Sequence, residues 1–179
     1  MYFTRNNITN GTRKYDAQKN THLKIYRAEN VNGKWSNVTE LPFNGDDFST
    51  AHPALSHDER TLYFASDRPG GFGESDLWQV AVSGNIYGVP QNMGPEINTE
   101  ARETFPFINS NNELYFSSDG RIGLGGLDVY VAKMDKNQQF EPVQNIGAPV
   151  NSNADDFAYY IDYETKHGFF SSNRAGGHG

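Results

Sequence analysis

Pairs of aspartates placed nine residues apart are the first residues in this sequence that could do chemistry. Asp67 and Asp76 bracket one glycine-rich loop, and Asp119 and Asp128 bracket another. Carboxylates and loop carbonyls together could hold calcium, which accepts oxygen ligands in adaptable geometry. The loops lack the dense Asp-x-Asp-x-Asp spacing of a dedicated calcium loop. We therefore expect no metal, and we predict that each aspartate caps its loop by accepting hydrogen bonds from backbone N–H groups.

Motifs for enzymatic catalysis or cofactor binding are absent from the sequence. It contains no Gly-x-Ser-x-Gly elbow and no His-Glu-x-x-His, and Gly-Gly-Phe-Gly at 70–73 is not followed by Gly-Lys-Ser/Thr. Ser56-x-Asp58 is similar to the Asp box of sialidases, but Arg60 and Tyr63 replace its Gly and Trp, so we predict a hairpin turn there. Paired carboxylates for glycoside hydrolysis stay open, because their separation in space cannot be read from a sequence.

The composition narrows the class of partner. The chain has 179 residues, a formal net charge of -7 and no cysteine. The negative charge disfavours nucleic acid and anionic membranes as partners, since both select for basic patches. Without cysteine there is no disulfide, no thiolate chemistry and no cysteine-based zinc site. No apolar run approaches the roughly 18 residues of a membrane span, so we predict no direct membrane span.

The bracketing aspartates lie in a sequence that repeats. The run Leu-Tyr-Phe-Ala-Ser-Asp at 62–67 returns as Leu-Tyr-Phe-Ser-Ser-Asp at 114–119, 52 residues later, and as Gly-Phe-Phe-Ser-Ser-Asn at 168–173, a further 54 residues on. Asp-Leu-Trp at 76–78 also returns, as Asp-Val-Tyr at 128–130. A period near 50 residues built from short apolar runs is typical of stacked repeats or of a propeller.

Each repeat predicts four strands. In the second repeat, the short apolar or alternating runs at 53–55, 62–66, 77–82 and 86–90 are separated by turn residues. Four antiparallel strands of this kind make one propeller blade. The third repeat follows the same scheme at 105–108, 114–118, 129–132 and 140–143. We predict an all-β fold, namely a β-propeller of four-stranded antiparallel blades with about three blades present and an incomplete ring.

The predicted organisation is a single propeller segment over residues 1–179. It begins with a partial first blade at 1–44, which an inserted loop at 8–21 interrupts. A second blade at 45–98 and a third at 99–151 follow, and a partial fourth blade occupies 152–179. Residues 176–179 stand where a glycine-rich loop belongs, without the Asp-Leu-Trp strand that should follow it. We therefore expect this chain to be a piece of a longer protein.

Paired aromatic residues in the repeated run are expected to form the core. They occupy the second strand of each repeat, which is predicted to be a central strand with neighbouring blades on both faces. These residues are Tyr63, Phe64, Tyr115, Phe116, Phe169 and Phe170.

The repeated motifs resemble the TolB-type WD-like propeller repeat. The shared sequences are Pro-Ala-Leu-Ser-x-Asp from residue 53, Leu-Tyr-Phe-Ala-Ser-Asp-Arg from 62 and Asp-Leu-Trp from 76. The variant with Asn-Met-Gly-Pro-Glu-Ile-Asn from 92 and Gly-Leu-Gly-Gly-Leu-Asp-Val-Tyr from 123 is similar to the propeller of multidomain OmpA-family envelope proteins. This resemblance implies a periplasmic location at the outer membrane of a Gram-negative envelope.

Partners follow from the same resemblance. It implies other envelope proteins or components of a secretion complex, because some members of the family belong to the type IX secretion and gliding apparatus. It also implies peptidoglycan, which other members bind through flanking domains that are not in this sequence.

The loops that follow the second strand and precede the first strand of each repeat emerge on one face of a propeller. Loops on a rigid scaffold often carry function, and these loops collect acids and arginines. The alternative interpretation is a solvated polar face with local ion pairs. The predicted partner-binding residues on this face are Arg68, Phe72, Arg102, Glu103, Arg121, Asp155 and Asp156.

The sequence is compatible with two classes of function. The favoured one is a non-enzymatic protein-interaction or scaffolding module. The alternative is a propeller that binds or cleaves a glycan, as a hydrolase or lyase would. Glycan recognition requires exposed apolar or aromatic side chains on the loop face, for which Phe72 and Leu124 are the candidates. A Phe72 side chain buried beneath its own loop would remove that option.

Overall fold

The computed structural model describes residues 1–9, 11–137 and 139–176, and its regular elements in those ranges are β-strands. Within the same ranges, no helix is long and apolar enough to cross a membrane. The strands are β1 (Tyr2–Asn6), β2 (Ile8–Thr9), β3 (Thr12–Arg13), β4 (Leu23–Val31), β5 (Lys34–Glu40), β6 (Thr50–Leu55), β7 (Thr61–Ser66), β8 (Asp76–Ser83), β9 (Ile86–Tyr87), β10 (Gln91–Asn92), β11 (Glu103–Ile108), β12 (Glu113–Ser118), β13 (Asp128–Lys133), β14 (Gln144–Asn145), β15 (Asp156–Ile161) and β16 (Gly168–Ser172). The predicted glycine-rich loop at 176–179 lies outside the described residues after residue 176.

Strands that follow one another in the chain pair into successive antiparallel sheets, so the all-β prediction is confirmed. The first sheet has the order β1-β4-β5, and the second has β6-β7-β8, with both β9 and β10 paired to β8. The third sheet has the order β11-β12-β13-β14, and the fourth is the pair β15-β16. The predicted insertion at 8–21 contains the small hairpin β2-β3.

The outermost predicted strands are shorter in the structure than in the sequence-based prediction. Instead of one strand at 86–90, the second sheet has β9 and β10 on either side of Pro90. Instead of a strand at 140–143, the third sheet has a single bridge between Met134 and Phe140 and then β14 beyond Pro142. Proline lacks a backbone N–H and cannot donate to a ladder, which explains both interruptions.

The first strands of the second, third and fourth sheets are interrupted at one equivalent position. Each pairing shifts its register there, between Ala51 and Ala54 in β6 and at the matching places in β11 and β15. The residue inside each bulge has a left-handed backbone that non-glycine residues rarely adopt. These residues are His52, Phe105 and Ala158, with φ of 54°, 49° and 52°. Three equal departures show that the bulge belongs to the repeat.

The apolar core lies between neighbouring sheets. One cluster joins the second sheet to the third and contains Leu77, Phe116 and Tyr130, and another joins the first sheet to the second and contains Ile25 and Phe64. The first strand of each sheet lies against the preceding sheet: β6 contacts β1, β11 contacts β6, and β15 contacts β11. Each sheet therefore depends on its neighbours to bury its faces.

The core prediction is wrong for the fourth sheet. Phe64 and Phe116 are 0% and 1% exposed, whereas Phe169 and Phe170 are 76% and 40% exposed. The physical reason is the pairing of β16, which in the described part of the chain bonds to β15 alone. Its counterparts β7 and β12 each have a strand on both sides.

Candidate partner-binding loop face

The loop face consists of the loops at 67–75 and 119–127 together with the segments at 99–102 and 152–155. Asp76 caps the first glycine-rich loop, because its carboxylate accepts backbone N–H groups from Phe72 at 2.6 Å and Gly73 at 3.1 Å. Asp128 caps the second by accepting the N–H of Leu124. The predicted capping is therefore confirmed for the aspartate at the far end of each loop.

The aspartates at the near ends of the loops bond elsewhere. Asp67 accepts the backbone N–H of Ser49 at 2.6 Å, and Asp119 accepts that of Arg102 at 2.9 Å. Both donors immediately precede the first strand of the same sheet. These carboxylates therefore hold the start of that strand and do not cap their own loops. Among the described residues, no cluster of three or more His, Asp or Glu side chains is arranged to hold a metal ion.

Two of the three predicted binding arginines, Arg68 and Arg121, bond to backbone oxygens of their own chain, and so does Arg174 of the fourth sheet. Each of Arg68, Arg121 and Arg174 follows the second strand of a sheet and donates to the segment that leads into that sheet. Burial lowers the pKa of Arg68 to about 10, which still leaves its guanidinium charged at neutral pH. The acceptors are the carbonyl oxygens of Phe43 at 3.2 Å, Glu96 at 2.9 Å, Ile97 at 3.0 Å and Pro149 at 3.0 Å, together with that of Val150.

Two of the predicted acidic residues are buried at the start of a strand. Glu103 accepts the backbone N–H of Thr99 at 2.7 Å and the hydroxyl of Ser118 at 2.6 Å. Asp156 accepts the backbone N–H of Ser152 at 2.6 Å and the guanidinium of Arg174 at 2.5 Å. Burial would raise the pKa of Asp156, but its hydrogen bonds outweigh that effect and leave the pKa below its ordinary value.

Asp155 joins the third sheet to the fourth. Its carboxylate accepts the backbone N–H of Leu127 at 2.9 Å and the side-chain amide of Asn173 at 2.8 Å. The two bonded groups belong to the second glycine-rich loop and to the end of β16. Asp155 therefore lies on the loop face with its oxygens engaged inside the chain.

The loop face exposes three large apolar side chains among charged and polar ones. Phe72 is 51% exposed and Leu124 is 55% exposed, so neither side chain is buried beneath its own loop. Ile122 is 98% exposed, and sequence reasoning missed it, although an isoleucine between Arg and Gly in a polar turn was a visible signal. Arg102 is half-exposed and pairs with Asp119 at 2.5 Å.

The glycine-rich loops are locked onto the next sheet. A Cβ atom at Gly73 would overlap the carbonyl oxygen of Ala101, and one at Gly125 would overlap that of Ala154. The backbone N–H of Glu103 donates to the carbonyl oxygen of Ser75 at 2.7 Å, which continues the contact. Glycine is required here by the close approach of two backbones, and the loops are therefore held as rigid parts of the sheet-to-sheet contact.

A repeated asparagine, to which sequence reasoning assigned no role, completes the scaffold. The side chain of Asn98 accepts the N–H of Leu77 at 2.8 Å and donates to its carbonyl at 3.0 Å, as a neighbouring strand would. Asn151 bonds Val129 in the same way, and Asn44 bonds Ile25. Its recurrence at the end of the Gly-Pro-Glu-Ile-Asn motif was the available signal.

A polar cavity lies at the opposite ends of the strands, between the second and third sheets. It has a volume of about 450 Å³, and its lining includes Ser56, Asp58, Gln79 and Glu96. The hydroxyl of Ser56 donates to Asp58 at 2.6 Å within the predicted hairpin turn, which the structure confirms. None of the predicted partner-binding residues lines this cavity.

Comparison with known proteins adds no family to this description. Neither a scan of protein-family models nor a search of curated protein sequences gave a match to the chain. The function is therefore inferred from the loop face and from the arrangement of the sheets.

Proposed function

We propose that this chain is a β-propeller segment that serves as a non-enzymatic protein-interaction or scaffolding module of an OmpA-like cell-envelope protein. The observation that carries the proposal is the exposure of three apolar side chains, Phe72, Ile122 and Leu124, on two loops whose backbones are locked in place. A preorganised apolar surface binds a partner without first ordering its own loops, which lowers the cost of association. Arg102 and its acidic neighbours supply a polar rim beside that surface.

The arrangement of the sheets supports a propeller. The first strands β6, β11 and β15 contact one another in chain order, as inner strands around a common axis would. The bulge in each first strand recurs at one position, which supports one repeated unit. Successive sheets with the same strand order are what a propeller requires.

The state of the buried carboxylates supports a non-enzymatic role. Asp76, Glu103, Asp128 and Asp156 are the carboxylates most removed from solvent, and each accepts a backbone N–H from a neighbouring segment. A catalytic acid or base must instead reach a substrate at hydrogen-bonding distance. These four side chains serve the scaffold.

The envelope setting rests on the sequence resemblance. A periplasmic module at the outer membrane, with envelope or secretion-complex proteins as partners, fits the TolB-type repeat of OmpA-family proteins. In the type IX secretion and gliding machinery such a module would hold components together, while peptidoglycan would be bound by flanking domains. The net charge of -7 disfavours nucleic acid in the same setting.

Site-directed photo-crosslinking tests the proposal. A photoreactive phenylalanine analogue would replace Phe72 or Leu124 in the protein expressed in its own cells, with Val89 as the matched control because it is exposed and outside the loop face. We expect one discrete envelope-protein adduct from the two loop positions and none from position 89. Equal labelling at all three positions, or no adduct at positions 72 and 124, would contradict the proposal.

Glycan recognition is the second candidate, and the exposure of Phe72 keeps it open. An aromatic ring on a rigid loop can stack on the apolar face of a sugar. Titration with soluble peptidoglycan fragments, followed by shifts in the NMR signals of the 67–75 loop, would test it. Mass analysis of the same fragments after incubation distinguishes binding from cleavage by a hydrolase or lyase.

A further inference from the structure

The polar cavity between the second and third sheets is bounded by complete sheets, which have five and four strands. Two exposed acidic residues, Asp58 and Glu96, lie in its lining, and none of the described residues there is a lysine, arginine or histidine. Side-chain carboxamides in the lining come from Gln79, Asn92, Asn112 and Gln139. The cavity therefore offers negative charge and several hydrogen-bond acceptors.

A buried tyrosine brings a hydroxyl group to this cavity. Tyr63 is only 3% exposed, and it lines the cavity. Within the described part of the chain its hydroxyl makes no hydrogen bond, whereas that of Tyr115, its counterpart in the third sheet, donates to Glu113 at 3.1 Å. Burial and the charge of Asp58 raise the pKa of Tyr63 to about 12, so the hydroxyl keeps its proton at neutral pH. Because buried polar groups in native proteins are nearly always hydrogen-bonded, this hydroxyl is open to a group that enters the cavity.

The second sheet departs from the third at the two positions that leave this hydroxyl open. Thr61 stands where the third sheet has Glu113, so Tyr63 lacks the acceptor that its counterpart uses. Gln79, which lies opposite Tyr63, stands where the third sheet has the buried Val131. Both changes exchange a contact within the chain for polar cavity lining. Departures from a local rule of this kind are expected at functional sites.

The aspartate of the lining is charged and partly free. One oxygen of Asp58 accepts the hydroxyl of Ser56 at 2.6 Å and the backbone N–H of Arg60 at 3.1 Å, and these bonds lower the pKa of the carboxyl group. Its other oxygen makes no hydrogen bond among the described residues. The same lining includes the apolar side chains of Met134 and Phe140. A ligand that suits both features has a cationic head that only donates and an aliphatic stem, as arginine has.

We propose that this cavity binds the arginine side chain of a partner polypeptide. The guanidinium group donates to Asp58, to the hydroxyl oxygen of Tyr63 and to the amide oxygen of Gln79, while the stem lies against Met134 and Phe140. The five donors of a guanidinium group suit this spread of acceptors better than the three of an ammonium group. The cavity is separate from the loop face, and the proposal does not rest on the partner proposed there.

Two short peptides of equal shape test the site. The probe is acetyl-Gly-Arg-Gly-amide, and the control is the same peptide with citrulline in place of arginine, which keeps the shape and removes the charge. Binding to the intact chain would be followed by shifts in its backbone NMR signals. We expect the arginine peptide to shift the signals of residues 58–63 and of Gln79. The citrulline peptide should bind about tenfold more weakly, which is the effect of losing a hydrogen bond to a charged group.

Substitutions in the lining locate the bound group. Asp58→Asn should weaken binding of the arginine peptide about tenfold, because it removes the charge and keeps an acceptor for Ser56. Gln79→Val, which introduces the residue of the third sheet, should weaken binding in the same direction. Asp47→Asn removes the same charge from an exposed aspartate outside the cavity and should leave binding unchanged.

The comparison of the two peptides on the unsubstituted protein keeps the test valid if a variant fails to fold. No shifts with the arginine peptide, equal binding of the citrulline peptide, or shifts confined to the 67–75 loop would each overturn the proposal. Equal binding by Asp58→Asn would also overturn it. Shifts at the cavity with maltose, without any from the arginine peptide, would overturn it in favour of a polyhydroxyl ligand.

Discussion

The first and second sheets carry opposite charges at the residue that follows the loop between two neighbouring strands. In the second sheet, Asp76 begins β8 and caps a tight glycine-rich loop through backbone N–H groups. In the first sheet, the equivalent position in β4 is Lys24, which bonds Glu40 at 2.8 Å and Asp46 at 2.6 Å. The 8–21 insertion replaces the tight loop there, and its own Asp16 accepts the backbone N–H groups of Gln18 at 2.9 Å and Asn20 at 2.7 Å. An aspartate at the start of the strand therefore accompanies the tight glycine-rich loop, and where the loop is replaced by the insertion the aspartate is replaced by lysine.

Replacing Gly73 tests the most constrained part of that comparison. Gly73→Ala should lower the free energy of unfolding by about 4 kcal/mol, because its Cβ atom would overlap the backbone of the next sheet. Gly88→Ala is the matched control, since its Cβ atom would lie 3.5 Å from that of Ala81, an ordinary contact. Urea unfolding of both variants gives the measurement. Equal small losses would show that the loop is not locked.

The bulge residues offer a pH-dependent contrast between sheets. His52 occupies the place of Phe105 in the third sheet, and burial lowers the pKa of His52 to about 4. The unfolded chain, with an ordinary histidine pKa near 6.5, then binds the proton more tightly than the folded chain. Stability is therefore full above pH 6.5 and falls as the pH drops towards 4, by ~3 kcal/mol from this residue.

Substituting His52 by phenylalanine makes the second sheet match the third. We expect His52→Phe to flatten the loss of stability between pH 6.5 and 4, measured by urea unfolding at several pH values. His57→Phe, in the exposed turn after β6, is the control and should leave the slope unchanged. A slope that His52→Phe does not alter would mean that another group dominates the acid response.

Removing the capping carboxylate should cost more than removing the lysine of the first sheet. Asp76→Ala leaves the N–H groups of Phe72 and Gly73 without their acceptor, at a cost of about 2 kcal/mol. Lys24→Met leaves two partly exposed carboxylates that water can solvate, so we expect a loss of about 1 kcal/mol. Thermal and urea unfolding would rank the two variants. A larger loss for Lys24→Met than for Asp76→Ala would contradict the capping role of Asp76.

Phe169 provides the smallest expected effect and sharpens the contrast between complete and incomplete sheets. Phe169→Thr should change the free energy of unfolding by less than about 0.5 kcal/mol, because its ring is mostly in solvent. Tyr63→Thr, at the buried counterpart in β7, should cost about 3 kcal/mol. Similar costs at the two positions would mean that the fourth sheet is covered in solution.

Local patterns in the sequence predict the strands well and the long-range contacts poorly. The 62–66 and 114–118 runs became β7 and β12 because alternating aromatic residues specify a strand locally. Asp76 could be assigned as a cap because its donors lie within four residues. Arg121 could not be assigned, because its acceptors lie 24 and 25 residues earlier. The exposure of Phe170 was missed since it depends on a neighbouring strand and not on its own sequence.

The locked loops have a consequence for how the molecule comes apart. Each glycine-rich loop seats the opening segment of the next sheet, so the sheets are coupled to their nearest neighbours in chain order. Such a linear series of couplings behaves like a one-dimensional array, in which interior units are held from two sides and terminal units from one. The second and third sheets, each coupled to a neighbour on both sides, are then the last units to open.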